Sequence, residues 1–88
     1  MEFKLRSGLS IAASSWGSES DPLVILMHGG GQTRHAWGNT GEVLGLSGFH
    51  VLAIDLRGHG DSDWHPDGDY SIDAYKSDLV SILNQLGK

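Results

Sequence analysis

Leu23–Met27 is an apolar run without alternation, and His28-Gly29-Gly30-Gly31 follows it directly. An uninterrupted apolar run of this length is the pattern of a strand covered on both faces. Pro22 precedes it, and proline is tolerated at the first residue of a strand. On the N-terminal side the pattern changes to alternation. Phe3 and Leu5 alternate with charged neighbours, and Leu9, Ile11 and Ala13 share one face against Ser10, Ala12 and Ser14. Ser7-Gly8 between them is a turn signal, so residues 1–16 are expected to form an antiparallel hairpin. Gly17–Asp21 reads as a polar loop.

C-terminal to the glycines the period becomes helical. In Gln32–Gly48, Trp37, Gly41, Leu44 and Gly48 recur three or four apart, with Thr33 as a candidate cap. Gly38, Gly41 and Gly45 each cost about 1 kcal/mol relative to Ala, so this helix depends on packing against the sheet. His50–Leu56 is a second buried strand, which makes residues 23–56 a βαβ unit with parallel strands and a right-handed crossover. Residues 57–70 read as a loop rich in Gly, Asp and His, of a length that is usually functional. Ser71 caps a helix over 71–86, with Ile72, Tyr75, Leu79, Ile82, Leu83 and Leu86 on its apolar stripe and Gly87 as its stop. The fold class is α/β, in one domain.

Composition narrows the functions. The chain has 88 residues, enough for one small domain, and its net charge of −5 disfavours nucleic acid and anionic membrane as partners. It has no cysteine, which excludes a disulfide frame and a thiolate metal site and fits a cytoplasmic protein. No signal peptide and no spanning segment are expected. His59 and His65 stand among Asp61, Asp63, Asp67 and Asp69, but the spacing matches no calcium loop, so no metal is expected. No cofactor is expected either.

Two stretches carry candidate chemistry. Amides at a glycine turn that ends a buried strand can donate to an oxyanion. The alternatives are a flexible turn or a phosphate loop, but Gly29–Arg34 lacks both the G-x-G-x-x-G spacing and a following Gly-Lys-Ser/Thr. His28 reads as a structural residue bonding nearby backbone rather than as a proton carrier. In Asp55–Ser62, Arg57 is a candidate anchor for the loop, through backbone carbonyls or Asp55.

Together, His-Gly-Gly-Gly-Gln-Thr-Arg-His-Ala-Trp (28–37) and Val-Leu-Ala-Ile-Asp-Leu-Arg-Gly-His-Gly-Asp-Ser (51–62) resemble the N-terminal part of an α/β-hydrolase. The nearest likeness is to the epoxide hydrolase, haloperoxidase and esterase-like branch. The resemblance implies the N-terminal half of that sheet: four strands in the order 1-2-4-3, the first hairpin antiparallel and the rest parallel, with two helices. It implies that Gly30, with Gly31 beside it, supplies oxyanion-hole amides, that His28 and Gly29 shape the turn, and that residues 57–62 border the site. Such an enzyme also needs a Gly-x-Ser-x-Gly elbow or its Asp version, an acid and a histidine. Gly45-Leu46-Ser47-Gly48-Phe49 and Gly8-Leu9-Ser10-Ile11-Ala12 both fail that elbow pattern. The chain alone is therefore expected to be inactive, as part of a hydrolase acting on a small-molecule ester, epoxide or similar bond. The alternative is a stand-alone interaction module built on half the fold. Under either reading Leu23–His28 lies at the sheet edge, and pairing there with its copy or a second chain is expected.

Overall fold

The computed structural model describes residues 1–88. Four strands are present: β1 (Glu2–Lys4), β2 (Ser10–Trp16), β3 (Leu23–Met27) and β4 (His50–Ile54). Two α-helices accompany them, α1 (Gly38–Leu46) and α2 (Ile72–Gln85). The sheet order is β1-β2-β4-β3. β3 and β4 are parallel, with Leu23 beside His50 and Met27 beside Ile54. β2 is antiparallel to both of its neighbours, β1 and β4.

The alternating residues of the hairpin explain its packing. Phe3, Leu5, Leu9, Ile11 and Ala13 are buried and meet Leu52 and Ile54 of β4 and Ile82 of α2 in one core. Every residue of β4 is buried, as a strand covered on both faces requires. The opposite face carries α1. There Gly41 and Gly45 sit against Trp16 of β2, and a methyl group on either would collide with that side chain. The small residues of this helix are what lets it approach the sheet.

Two expectations need correction, and a third narrows to one of its alternatives. The segment 32–48 is not one helix. A 3-10 turn over Arg34–Trp37, capped by the Thr33 hydroxyl, precedes α1. Ile72 does not belong to the apolar stripe of α2 but is 74% exposed, and the buried row is Ala74, Asp78 and Ile82. An acid occupies that row because Arg57 meets it there. Of the two anchors expected for Arg57, the backbone carbonyl is present and Asp55 is not. The Arg57 Nε and Nη2 donate to Asp78 at 2.7 and 2.6 Å, and its Nη1 donates to the Asp69 carbonyl at 3.0 Å.

Candidate functional site

The site lies past the C-terminal ends of the parallel strands, where open α/β sheets bind ligands. β3 ends at Met27, and the chain turns at once. Gln32 N–H donates to Gly29 O at 3.2 Å, and Gly29 N–H donates to the Gln32 side-chain oxygen at 3.1 Å. Gly31 has φ +76°, the sign a type II turn needs at its third residue. No hydrogen bond within the chain uses the Gly30 or Gly31 N–H, and an added Cβ on either glycine would meet nothing within 4 Å. Two exposed backbone donors therefore stand unpartnered at the end of a half-buried strand.

His28 is buried and structural. Its Nε2 accepts from the Leu56 N–H at 3.0 Å, so Nε2 carries no proton, and its Nδ1 donates to the Gly29 carbonyl at 2.8 Å. The neutral ring has both nitrogens occupied and fixes the start of the turn. His59 stacks obliquely on it, with ring centroids 4.9 Å apart.

Arg34 fixes the other end, and sequence reading missed it. The Arg34 N–H donates to Asp55 Oδ1 at 2.6 Å. Its guanidinium meets Asp55 Oδ2, reaches Asp61 Oδ2 at 3.1 Å and donates through Nε to Ser14 Oγ at 3.0 Å. Asp55 also accepts from the Asp61 N–H at 3.0 Å. Burial pushes the Asp55 carboxyl up, but the Arg34 and Asp61 amides and the Arg34 guanidinium outweigh it and hold the group below its ordinary value. One signal was available: Asp55 ends an apolar buried strand, and a buried acid needs a cationic or hydrogen-bonding partner.

The 57–70 loop is ordered by hydrogen bonds. Gly58 N–H donates to Asp63 O, and Asp63 N–H donates to Ser10 O, both at 2.9 Å. Gly60 passes so close to Asp55 that a Cβ would fall 2.3 Å from the carboxylate. Ser62 is buried. Its hydroxyl donates to the Asp55 carbonyl at 2.5 Å and accepts from Ala12 N–H at 2.9 Å, so it ties β2 to the end of β4. His65 Nδ1 accepts from the Asp67 and Asp69 amides, so that histidine shapes the loop. His28, Gly29, Gly30 and Gly31 thus share one turn, and the 57–62 loop is pinned beside it. No serine hydroxyl hydrogen-bonds a histidine ring. No helix is long and apolar enough to cross a membrane.

Comparison with known proteins gives a consistent picture. Residues 22–88 match the model of the α/β-hydrolase fold family. An esterase of Mycobacterium tuberculosis is 44% identical over 77 residues, covering 88% of this chain and 24% of that protein. A bifunctional epoxide hydrolase of Sus scrofa is 38% identical over 69 residues, covering 77% of this chain and 12% of its own length. Among solved structures, epoxide hydrolase A from Mycobacterium thermoresistibile superposes with a TM-score of 0.90 at 30% identity, over 99% of this chain and 27% of that one. The chain spans a quarter or less of the length of these two curated relatives. With its sheet order, its glycine turn and the family match over most of its length, the chain belongs to the α/β-hydrolase fold family.

Proposed function

We propose that this chain contributes the oxyanion-binding turn of a hydrolase acting on ester, epoxide or similar bonds of a small molecule. One observation carries this: the Gly30 and Gly31 amides, at the end of β3, have no partner within the chain. When a nucleophile attacks an ester carbonyl, negative charge gathers on the carbonyl oxygen. Donors already in place stabilise that charge without reorganising. With an epoxide, the same amides serve the later hydrolysis of the alkyl-enzyme ester. Neither chemistry needs a cofactor. The esterase and epoxide hydrolase relatives support both substrate classes.

The attacking group is not in these residues. Ser62 is committed to structure, and no serine sits on a strand-to-helix elbow. The chain alone is expected to turn over neither a nitrophenyl ester nor an epoxide above buffer. The direct test is a phosphonate adduct, a mimic of the tetrahedral intermediate, in a hydrolase that carries this chain. Its oxygen should lie about 2.7–3.1 Å from the Gly30 nitrogen. An oxygen turned away from both glycine amides would refute the assignment.

The free edge of β3 supports a further reading about partners. Pro22 O accepts from His50 N–H, so alternation turns residues 22, 24 and 26 toward β4 and leaves Leu23, Ile25 and Met27 with outward backbone groups. Nothing within this chain pairs them. This edge recruits an extended segment, either from a second copy of the chain or from another chain. A stand-alone interaction module would use the same edge.

A further inference from the structure

The glycine turn touches almost nothing, yet its use depends on holding two amides in one direction. Gly30 and Gly31 have open space where a side chain would be. Glycine also loses more backbone freedom on ordering than any other residue. Gln32 braces Gly29 inside the turn but hydrogen-bonds neither Gly30 nor Gly31, so their order must come from the residues that flank them. At the entrance, His28 Nε2 holds the Leu56 N–H. At the exit, the Arg34 N–H is held by Asp55. The two pegs grip consecutive residues just past the end of β4.

The pegs differ in kind. His28 is one ring that joins the Leu56 amide to the Gly29 carbonyl. The Arg34 peg is a network in which one buried carboxylate binds the Arg34 amide, the Arg34 guanidinium and the Asp61 amide. A buried ion pair is weak as a source of stability, because desolvation offsets most of its attraction. What such a pair does well is fix direction, since guanidinium and carboxylate have a set mutual geometry. Gly60 leaves the space that the carboxylate fills.

We propose that Arg34 and Asp55 are positioning residues for the Gly30 and Gly31 amides, holding the exit of the turn so that both N–H groups face one anion. The proposal rests on the oxyanion-binding reading for its purpose, and the two can fail separately.

Amide relaxation of the whole chain in solution tests it, with Arg34→Lys and Asp55→Asn as variants and acetate as the anion probe. In the parent chain, the Gly30 and Gly31 amides should match the order of β4, with order parameters of about 0.85. In either variant they should fall below about 0.6 while the Val51–Ile54 amides stay unchanged. The acetate-induced shift of both glycine amides should need at least about tenfold more acetate, roughly 1.4 kcal/mol. Unchanged order and unchanged acetate response in both variants would overturn the proposal. Collapse of the α2 amides together with the turn in both variants would also overturn it, by assigning the pair to holding the fold. If acetate shifts neither glycine in the parent chain but the variants still loosen the turn, positioning stands and the oxyanion reading falls.

Discussion

Asp55 has no exposed surface, and it is charged. Its carboxyl is held below its ordinary value, so the folded chain binds its proton less readily than the unfolded chain does. The stability this group contributes is fully present above the unfolded value of about 3.9, and it is lost as pH falls through the folded value. Asp69 is shifted the same way by the Ser71 hydroxyl and amide, on the surface. Urea midpoints followed from pH 7 to pH 2 should therefore fall in the acid range. Asp55→Asn should flatten part of that fall, leaving the part due to Asp69 and other carboxylates. An identical acid limb in Asp55→Asn would show that this carboxylate titrates alike in both states. The glycine turn was legible at this scale as a turn, because three adjacent glycines after an apolar strand end its regular backbone. The Arg34–Asp55 pair was not. Its members lie 21 residues apart, and Arg57 was the more obvious cation because it stands in the same motif as Asp55.

At the scale of elements, α2 shows how a polar residue can sit on a buried row. Arg57 and Asp78 are both buried and bonded through two parallel contacts. Asp78→Ala leaves the guanidinium buried without its carboxylate and should cost about 3–5 kcal/mol in chemical denaturation. That is a large share of a small domain's stability of about 5–15 kcal/mol. Periodicity placed this helix and its Ser71 cap correctly, yet it counted Ile72 as core. A 3.6-residue period cannot tell which edge of a stripe faces the sheet, and it rejects a buried acid whose partner is distant in sequence. α1 is the reverse case. Its glycines lower helix propensity but fit under Trp16. Gly45→Ala places a methyl 2.7 Å from Trp16 Cβ and 3.1 Å from the Gly17 nitrogen. The overpacking should cost about 1–3 kcal/mol, against a propensity gain of about 1 kcal/mol. Thermal unfolding should therefore show a lower midpoint for Gly45→Ala despite the better helix former.

At the scale of all 88 residues, the edge of β3 that none of them pairs dominates. Leu23–Met27 carries no charge, no proline and no bulge, the devices that keep edge strands apart. Antiparallel pairing of two copies about Ile25 would satisfy the outward backbone groups of both. Sedimentation equilibrium should show concentration-dependent association, and Met27→Lys, at a half-exposed edge position, should weaken it. A monomer at high concentration would remove the edge as a self-association surface. Sheet order and strand direction followed from the βαβ pattern and the family likeness. What lay beyond reach was the pinning of residues 55–62, because hydrogen bonds among distant polar residues leave no period.

The central claim is that the Gly30 N–H, and not merely the shape of its turn, stabilises charge during hydrolysis. Gly30 occupies the second position of a turn with open space around it, where alanine fits and proline is favoured. Alanine keeps the N–H and proline removes it. In a hydrolase carrying this chain, Gly30→Ala should leave kcat within a few-fold of the parent. Gly30→Pro should lower it by about 100- to 1,000-fold with the fold intact. Equal kcat in the two variants would contradict the account.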